Sequence, residues 1–297
     1  MHYSEWKRAA ALLLVCIILI GSAAGLASAD AEMRRVVVGA DLTDAQIESV
    51  YQFFGFERGT VPELRLTNQE ERSVLEGFVE PQVIGTRSMS CVYLELLPQG
   101  SGISISTDQI SWCTSQMYQN ALLTAGIRDA RIAVAAPFAV SGTAGLAGIY
   151  KAYEDMTGQR LDEYVKDAGT QELTVTGALA DEIGSADSET IVRELKQILG
   201  ETANMSNDEV RAAIRSIADR HHVQLSENQV QQLLELCRSL EKLNPDSLTR
   251  KVEDIQSTLE KVADAKDHVV GWMDRVKEAA ASIRGFFDRL NGLFRKN

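Results

Sequence analysis

Hydrophobic and polar positions change their rhythm about midway along the chain. From residue 34 to 138, short alternating or continuous apolar runs interleave with runs at helical spacing. Val36-Val37-Val38 predicts a buried strand. The next helix opens at Thr43 with Gln46 three residues on, a capping box in which each side chain satisfies the other residue's backbone N–H. Ile47, Val50, Tyr51 and Phe54 fall on one face of that helix. Leu64 and Leu66 predict a short strand, and Thr67 with Glu70 repeats the capping box at the head of a helix reaching Val79. Period-two alternation in Met89 to Leu96 and Ile103 to Ser106 flanks Pro98-Gln99-Gly100-Ser101-Gly102 and predicts an antiparallel hairpin. Thr114 opens a third helix that buries Met117, Tyr118, Ala121, Leu122 and Ala125 and stops at Gly126. Ile132, Val134, Ala136 and Phe138 alternate as a last strand.

The order β-α-β-α-β-β-α-β predicts an α/β two-layer sandwich, one mixed sheet with helices on one face. After Pro137 helical signals take over. Residues 142–156, 161–183 and 187–199 read as helices, the second with candidate breaks at Gly169 and at Thr174-Val175-Thr176. Ser206 with Glu209 and Ser226 with Gln229 are further capping boxes, opening helices that run to about His221 and Leu243. Asn244-Pro245 marks a stop and a restart. The expected class is therefore α+β, a sandwich followed by an all-helical half that ends in a long amphipathic helix. The expected divisions are 1–29, 30–140, 141–243 and 244–297.

The final helix has the strongest periodicity. Val252, Ile255, Leu259, Val262, Val269, Met273 and Val276, continuing through Ala280, Ile283, Phe287, Leu290 and Phe294, keep spacings of three and four, with Lys266 the one polar member of the seam. Three readings stand. The seam can pack against the preceding helix, where Val230, Leu233, Cys237 and Leu240 match it; it can self-associate; or it can lie on an anionic membrane surface. For the last, residues 272–296 combine Trp272, Ile283, Phe286, Phe287, Leu290 and Phe294 with six basic and three acidic residues.

The N-terminus has its own pattern. Lys7 and Arg8 precede the uncharged run Ala9 to Ile20, and Ala27-Ser28-Ala29 follows before Asp30, the layout of a secretory signal cleaved near Ala29. The alternative is an uncleaved N-terminal membrane anchor, since the uncharged stretch extended to Ala29 is just long enough to span a bilayer. Cys16 sits behind bulky Val15, where a lipidated cysteine calls for a small residue. From Asp30 onward 28 basic and 41 acidic residues leave a net charge of −13. Residues 250–297 carry +2 of that, so residues 30–249 hold −15. So acidic a body argues against nucleic acid as a partner.

Gly39-Ala40-Asp41-Leu42, Ile84-Gly85-Thr86-Arg87-Ser88 and above all the run from Met117 to Ile127 (MYQNALLTAGI) resemble the YpuA-like family of exported Gram-positive bacterial proteins. The match continues through Ala136-Pro137-Phe138-Ala139-Val140-Ser141-Gly142-Thr143 and on to Lys151-Ala152-Tyr153-Glu154. The family is a domain of unknown function. The resemblance implies an extracytoplasmic protein and brings no reaction, ligand or catalytic residue with it.

Few residues carry candidate chemistry. The loop holding Ser141, Gly142 and Thr143 joins the last strand to a helix, where free N–H groups and hydroxyls can hold an anion; the plainer role is a helix cap. It lacks the P-loop pattern. Arg87 in its polar loop is a second binding candidate, with a local surface ion pair as its alternative. Outside the membrane Cys91 and Cys113 can form a disulfide, or stay two buried thiols; the hairpin sets Cys91 opposite about Asp108, five residues short of Cys113. His221 and His222, adjacent on a helix, point about 100° apart and do not make a metal site. There is no Gly-x-Ser-x-Gly elbow, and His221, His222 and His268 all fall in predicted helices. No cofactor and no metal is expected. The expectation is a noncatalytic module for an envelope component or protein partner. The alternative is a wall or peptide hydrolase built on carboxylates such as Asp41, Glu154 or Glu172.

Overall fold

The computed structural model describes residues 33–243, which belong to one compact unit. The signal-like segment 1–29, the Asn244-Pro245 restart and the heptad helix, with Trp272, Ile283, Phe286, Phe287, Leu290 and Phe294, lie outside the described residues.

Five strands form one mixed sheet: β1 (Arg34–Gly39), β2 (Glu63–Leu66), β3 (Cys91–Leu96), β4 (Ile103–Ile110) and β5 (Ala130–Val140), in the order β2-β1-β3-β5-β4. β1 is parallel to β2 and antiparallel to β3; β5 is antiparallel to β3 and parallel to β4. The expected hairpin does not form, because β5 lies between β3 and β4. Burial explains the insertion. Ala130 and Ile132 to Ala136 are all buried, so β5 needs cover on both faces, whereas β4 is largely half-exposed and suits an edge. The connecting loop is tied across the start of β5, with Leu97 N–H donating to the Asp129 carbonyl and Gly102 N–H to the Asp129 carboxylate. Cys91 and Asp108 both register with Ala135, from opposite sides, so they are level but one strand apart.

The helices are α1 (Asp44–Phe54), α2 (Asn68–Leu75), α3 (Pro81–Ile84), α4 (Ser115–Thr124), α5 (Thr143–Thr157), α6 (Glu163–Ile183), α7 (Ser185–Gln197), α8 (Leu199–Thr202), α9 (Asn207–Arg220) and α10 (Glu227–Glu241). All four capping boxes form, at Thr43, Thr67, Ser206 and Ser226. The α+β class and the mixed sheet stand, and helices cover both faces of the sheet. Ile47, Val50 and Tyr51 of α1 pack on Val36, Val38, Cys91 and Tyr93. On the opposite face α5 crosses β1 and β3, and α4 lies against β4. The first helix after residue 140 is thus part of the sheet's own cover.

Helix α6 runs unbroken through both expected breaks. Gly169 is there for proximity: a Cβ would stand 2.6 Å from the Ala121 carbonyl oxygen of α4. Thr174 and Thr176 turn their hydroxyls back onto the Gln171 and Glu172 carbonyls, which satisfies them without interrupting the helix. Beyond α6 a second apolar cluster joins α7 to α10 through Ile191, Leu195, Ile214, Leu233 and Leu236. Val230, Leu233, Cys237 and Leu240, the seam matched to the last helix, take part in this cluster.

Candidate functional site

The two polar loops that stand 54 residues apart in the chain, around Arg87 and Ser141, open onto one cleft of about 520 Å³. That is within the roughly 300–1,000 Å³ of small-molecule sites. One wall is the segment from Gln82 to Arg87; the other is built by Ser111, Trp112, Phe138 and Val140. A bulge places the second wall. Gln109 takes a positive φ of 57°, the β4–β5 register shifts, and Ile110 comes opposite Val140. The Trp112 and Cys113 N–H groups then both donate to the Ser141 carbonyl. Asp41 sets the other wall, its carboxylate accepting from Ser88 N–H at 2.8 Å.

Gly142 makes the turn into α5. Its φ of 97° suits glycine, and a Cβ would stand 2.5 Å from Ile110 and 2.7 Å from the Tyr118 hydroxyl, which donates to the Gly142 carbonyl. Neither Ser141 nor Thr143 caps the helix, since the N-cap is Gly142, without a side-chain bond. The Thr143 hydroxyl donates instead to Glu71 Oε1 at 3.0 Å; the Ser141 hydroxyl lies 3.2 Å from Thr143 Oγ1 and 3.2 Å from the Val83 carbonyl. The start of α5, where the sequence suggests an external anion, therefore faces a carboxyl of the protein itself.

Glu71 is 1% exposed and lines the cleft. Burial lifts its carboxyl to about 7, against the hydrogen bonds from Thr143 and Asn68 that favour the charged form. It forms no ion pair among the described residues, and neighbouring Arg72 spends its guanidinium on Asn68 Oδ1 and the Gly85 carbonyl. Arg87 is exposed at the cleft and makes no hydrogen bond or ion pair with a described residue. Asp181 of α6 completes the rim, accepting from Trp112 Nε1 at 2.9 Å.

Sequence reasoning missed Glu71, Trp112 and Asp181. A signal for Glu71 exists: it lies four residues before Leu75 and shares that residue's buried face, a charged residue in an apolar stripe. Nothing local marks Trp112 or Asp181.

The remaining candidates lie apart. Cys91 and Cys113 are free and buried, the second of the two alternatives weighed for them; Cys91 packs under α1, while Cys113 sits against the Gly142 turn. Of the three carboxylates weighed for hydrolysis, Asp41 is bound to Ser88 N–H and Glu154 accepts from Leu161 N–H and Lys166. Glu172 is fully buried against Lys196, with Nζ at 2.7 Å and 3.0 Å from its two oxygens and Thr124 also donating to it. That cluster joins α4, α6 and α7. His221 ends α9 beside Glu194 Oε1 at 2.6 Å. Among the described residues no group of three or more His, Cys, Asp or Glu is placed to hold a metal, and no helix is long and apolar enough to cross a membrane.

Comparison with known proteins adds a family. Residues 38–262 match the family described as protein of unknown function (DUF1002). The "Uncharacterized protein YpuA" of Bacillus subtilis (strain 168) is 32% identical over 241 residues, which cover 79% of this chain and 81% of the relative. No solved structure matches. The matched residues include both walls of the cleft and Glu71, and the chain belongs to the DUF1002 family and is YpuA-like.

Proposed function

We propose that this chain is an extracytoplasmic binding module whose cleft between the Arg87 and Ser141 loops receives an envelope component or a segment of a protein partner. The observation that carries the reading is the convergence of two separately coded polar loops on one cleft that holds an unpaired cation at its rim and a buried carboxyl at its floor. The N-terminal signal pattern supports the location. Residues 272–297, basic and Phe-bearing in sequence, are proposed as a second contact, to a membrane surface or another copy.

Co-sedimentation of the purified full chain with isolated wall and membrane fractions tests this. Binding is expected to fall with Arg87→Ala and Ser141→Val; retention that survives both but is lost on removing residues 272–297 would move the contact to that segment. The hydrolase alternative is supported by a buried carboxyl, raised by desolvation, that accepts from the Thr143 hydroxyl, itself 3.2 Å from the Ser141 hydroxyl. Release of soluble wall fragments by the full chain, absent in Glu71→Gln, would favour it over binding alone.

A further inference from the structure

Among the described residues Glu71 and Arg87 on the cleft have no partner of opposite sign, and neither has Asp181, which accepts from Trp112 Nε1. Glu71 is buried at the floor, where its contacts are the Thr143 hydroxyl at 3.0 Å and the Asn68 amide at 3.5 Å. Arg87 stands at the rim without a described acceptor. A buried carboxyl normally has a cation or several donors around it, because the charged form is costly to desolvate. Here the one nearby guanidinium, of Arg72, is committed to neutral oxygens. A group that complements a carboxyl and a guanidinium on one cleft carries an ammonium and a carboxylate of its own. Asp181 adds negative charge to the rim, and Trp112 and Phe138 offer apolar surface beside it.

We propose that the cleft binds a short zwitterionic peptide, with its ammonium group at Glu71 and its carboxylate at Arg87. This rests on the cleft being the binding site and adds the chemistry it selects. The proton balance follows. Near pH 6 the carboxyl, raised to about 7 by burial, is mostly protonated; pairing with an ammonium ionises it, and its proton leaves to the buffer. Other groups facing Glu71 do not supply that proton. Arg72 on its own helix favours the charged form of Glu71, and Cys113 and Tyr118 are held protonated by burial. Asp41 nearby disfavours a negative charge on Glu71, so a cationic group eases its ionisation.

The test is calorimetric titration of the full chain with alanyl-alanine, its N-acetyl form and its C-terminal amide, at pH 6 and 8 in buffers of different ionisation enthalpy. Binding of the free dipeptide is expected, with a buffer-dependent heat at pH 6 that reports proton release. Acetylation or amidation should each weaken binding roughly ten- to a hundredfold, the range of a charge-assisted hydrogen bond. Glu71→Gln should lose the effect of acetylation and the proton release; Arg87→Ala should lose the effect of amidation. Equal binding of free and acetylated dipeptide, or proton uptake in place of release at pH 6, overturns the proposal without any variant being needed. If all three probes fail to bind while wall fractions still retain the chain through the Arg87 and Ser141 loops, the peptide inference fails and the binding-module reading survives. If wall retention also fails, both fall.

Discussion

Glu71 shows what a single residue can cost and what it can gain. Below about pH 4.5 its carboxyl is protonated in the folded and the unfolded chain alike. As the pH rises toward 7 the unfolded chain loses the proton first, so stability declines across that window, and above it the loss is complete. The shift corresponds to about 3 kcal/mol. Glu71→Gln keeps a polar group for Thr143 and removes the titration. The variant is therefore expected to gain stability relative to the wild type between pH 5 and pH 8, by up to about 3 kcal/mol. Urea unfolding of both proteins at the two pH values checks this; parallel pH profiles would show that the carboxyl does not titrate in that window.

At the scale of elements, the helical half is fastened to the sheet's cover by one buried polar knot. Lys196 of α7, Glu172 of α6 and Thr124 at the end of α4 satisfy one another in a region where each is at most 3% exposed. Removing one member leaves a buried charge without its counter-ion, whereas removing both leaves an apolar gap. Lys196→Met is expected to cost about 3–5 kcal/mol, and Lys196→Met with Glu172→Leu much less than the sum of the two single changes. A double-mutant cycle by chemical denaturation measures it; additive losses would mean that the two charges are not coupled. Elements were also the scale at which pattern was most legible. All four capping boxes and the stop at Gly126 (φ 87°) were readable, because each depends on residues within a few positions of one another. Gly169 misled for the opposite reason: its neighbour, Ala121, comes from another helix.

The whole molecule decides the state of the cysteines. Cys91, Cys113 and Cys237 are each buried in a different setting, and burial pushes all three thiols up to about 12. A thiol that rarely ionises is a poor nucleophile and slow to oxidise, so three free thiols are compatible with an oxidising surrounding. None of the three is expected to react with a disulfide reagent in the native protein, all three should react after denaturation, and reductant should not change the mass. A mass increase of two hydrogen atoms on reduction would put the Cys91–Cys113 bond back.

What the sequence by itself determined is local or periodic: the helices and their caps, the α+β class, the presence of a mixed sheet, and the two loops rich in Gly, Ser and Thr. What only tertiary structure decided is adjacency. The insertion of β5 between β3 and β4 follows from which strand needs cover on both faces, a comparison among strands that no single segment contains. The meeting of Arg87, Ser141 and Glu71 follows from that insertion and from the bulge at Gln109, which together bring chain segments far apart in sequence to one cleft. A residue's type states which chemistry it can do; its partners are set by the packing of the whole chain, and here that packing leaves Glu71 and Arg87 facing the same space without a partner of opposite charge among the described residues.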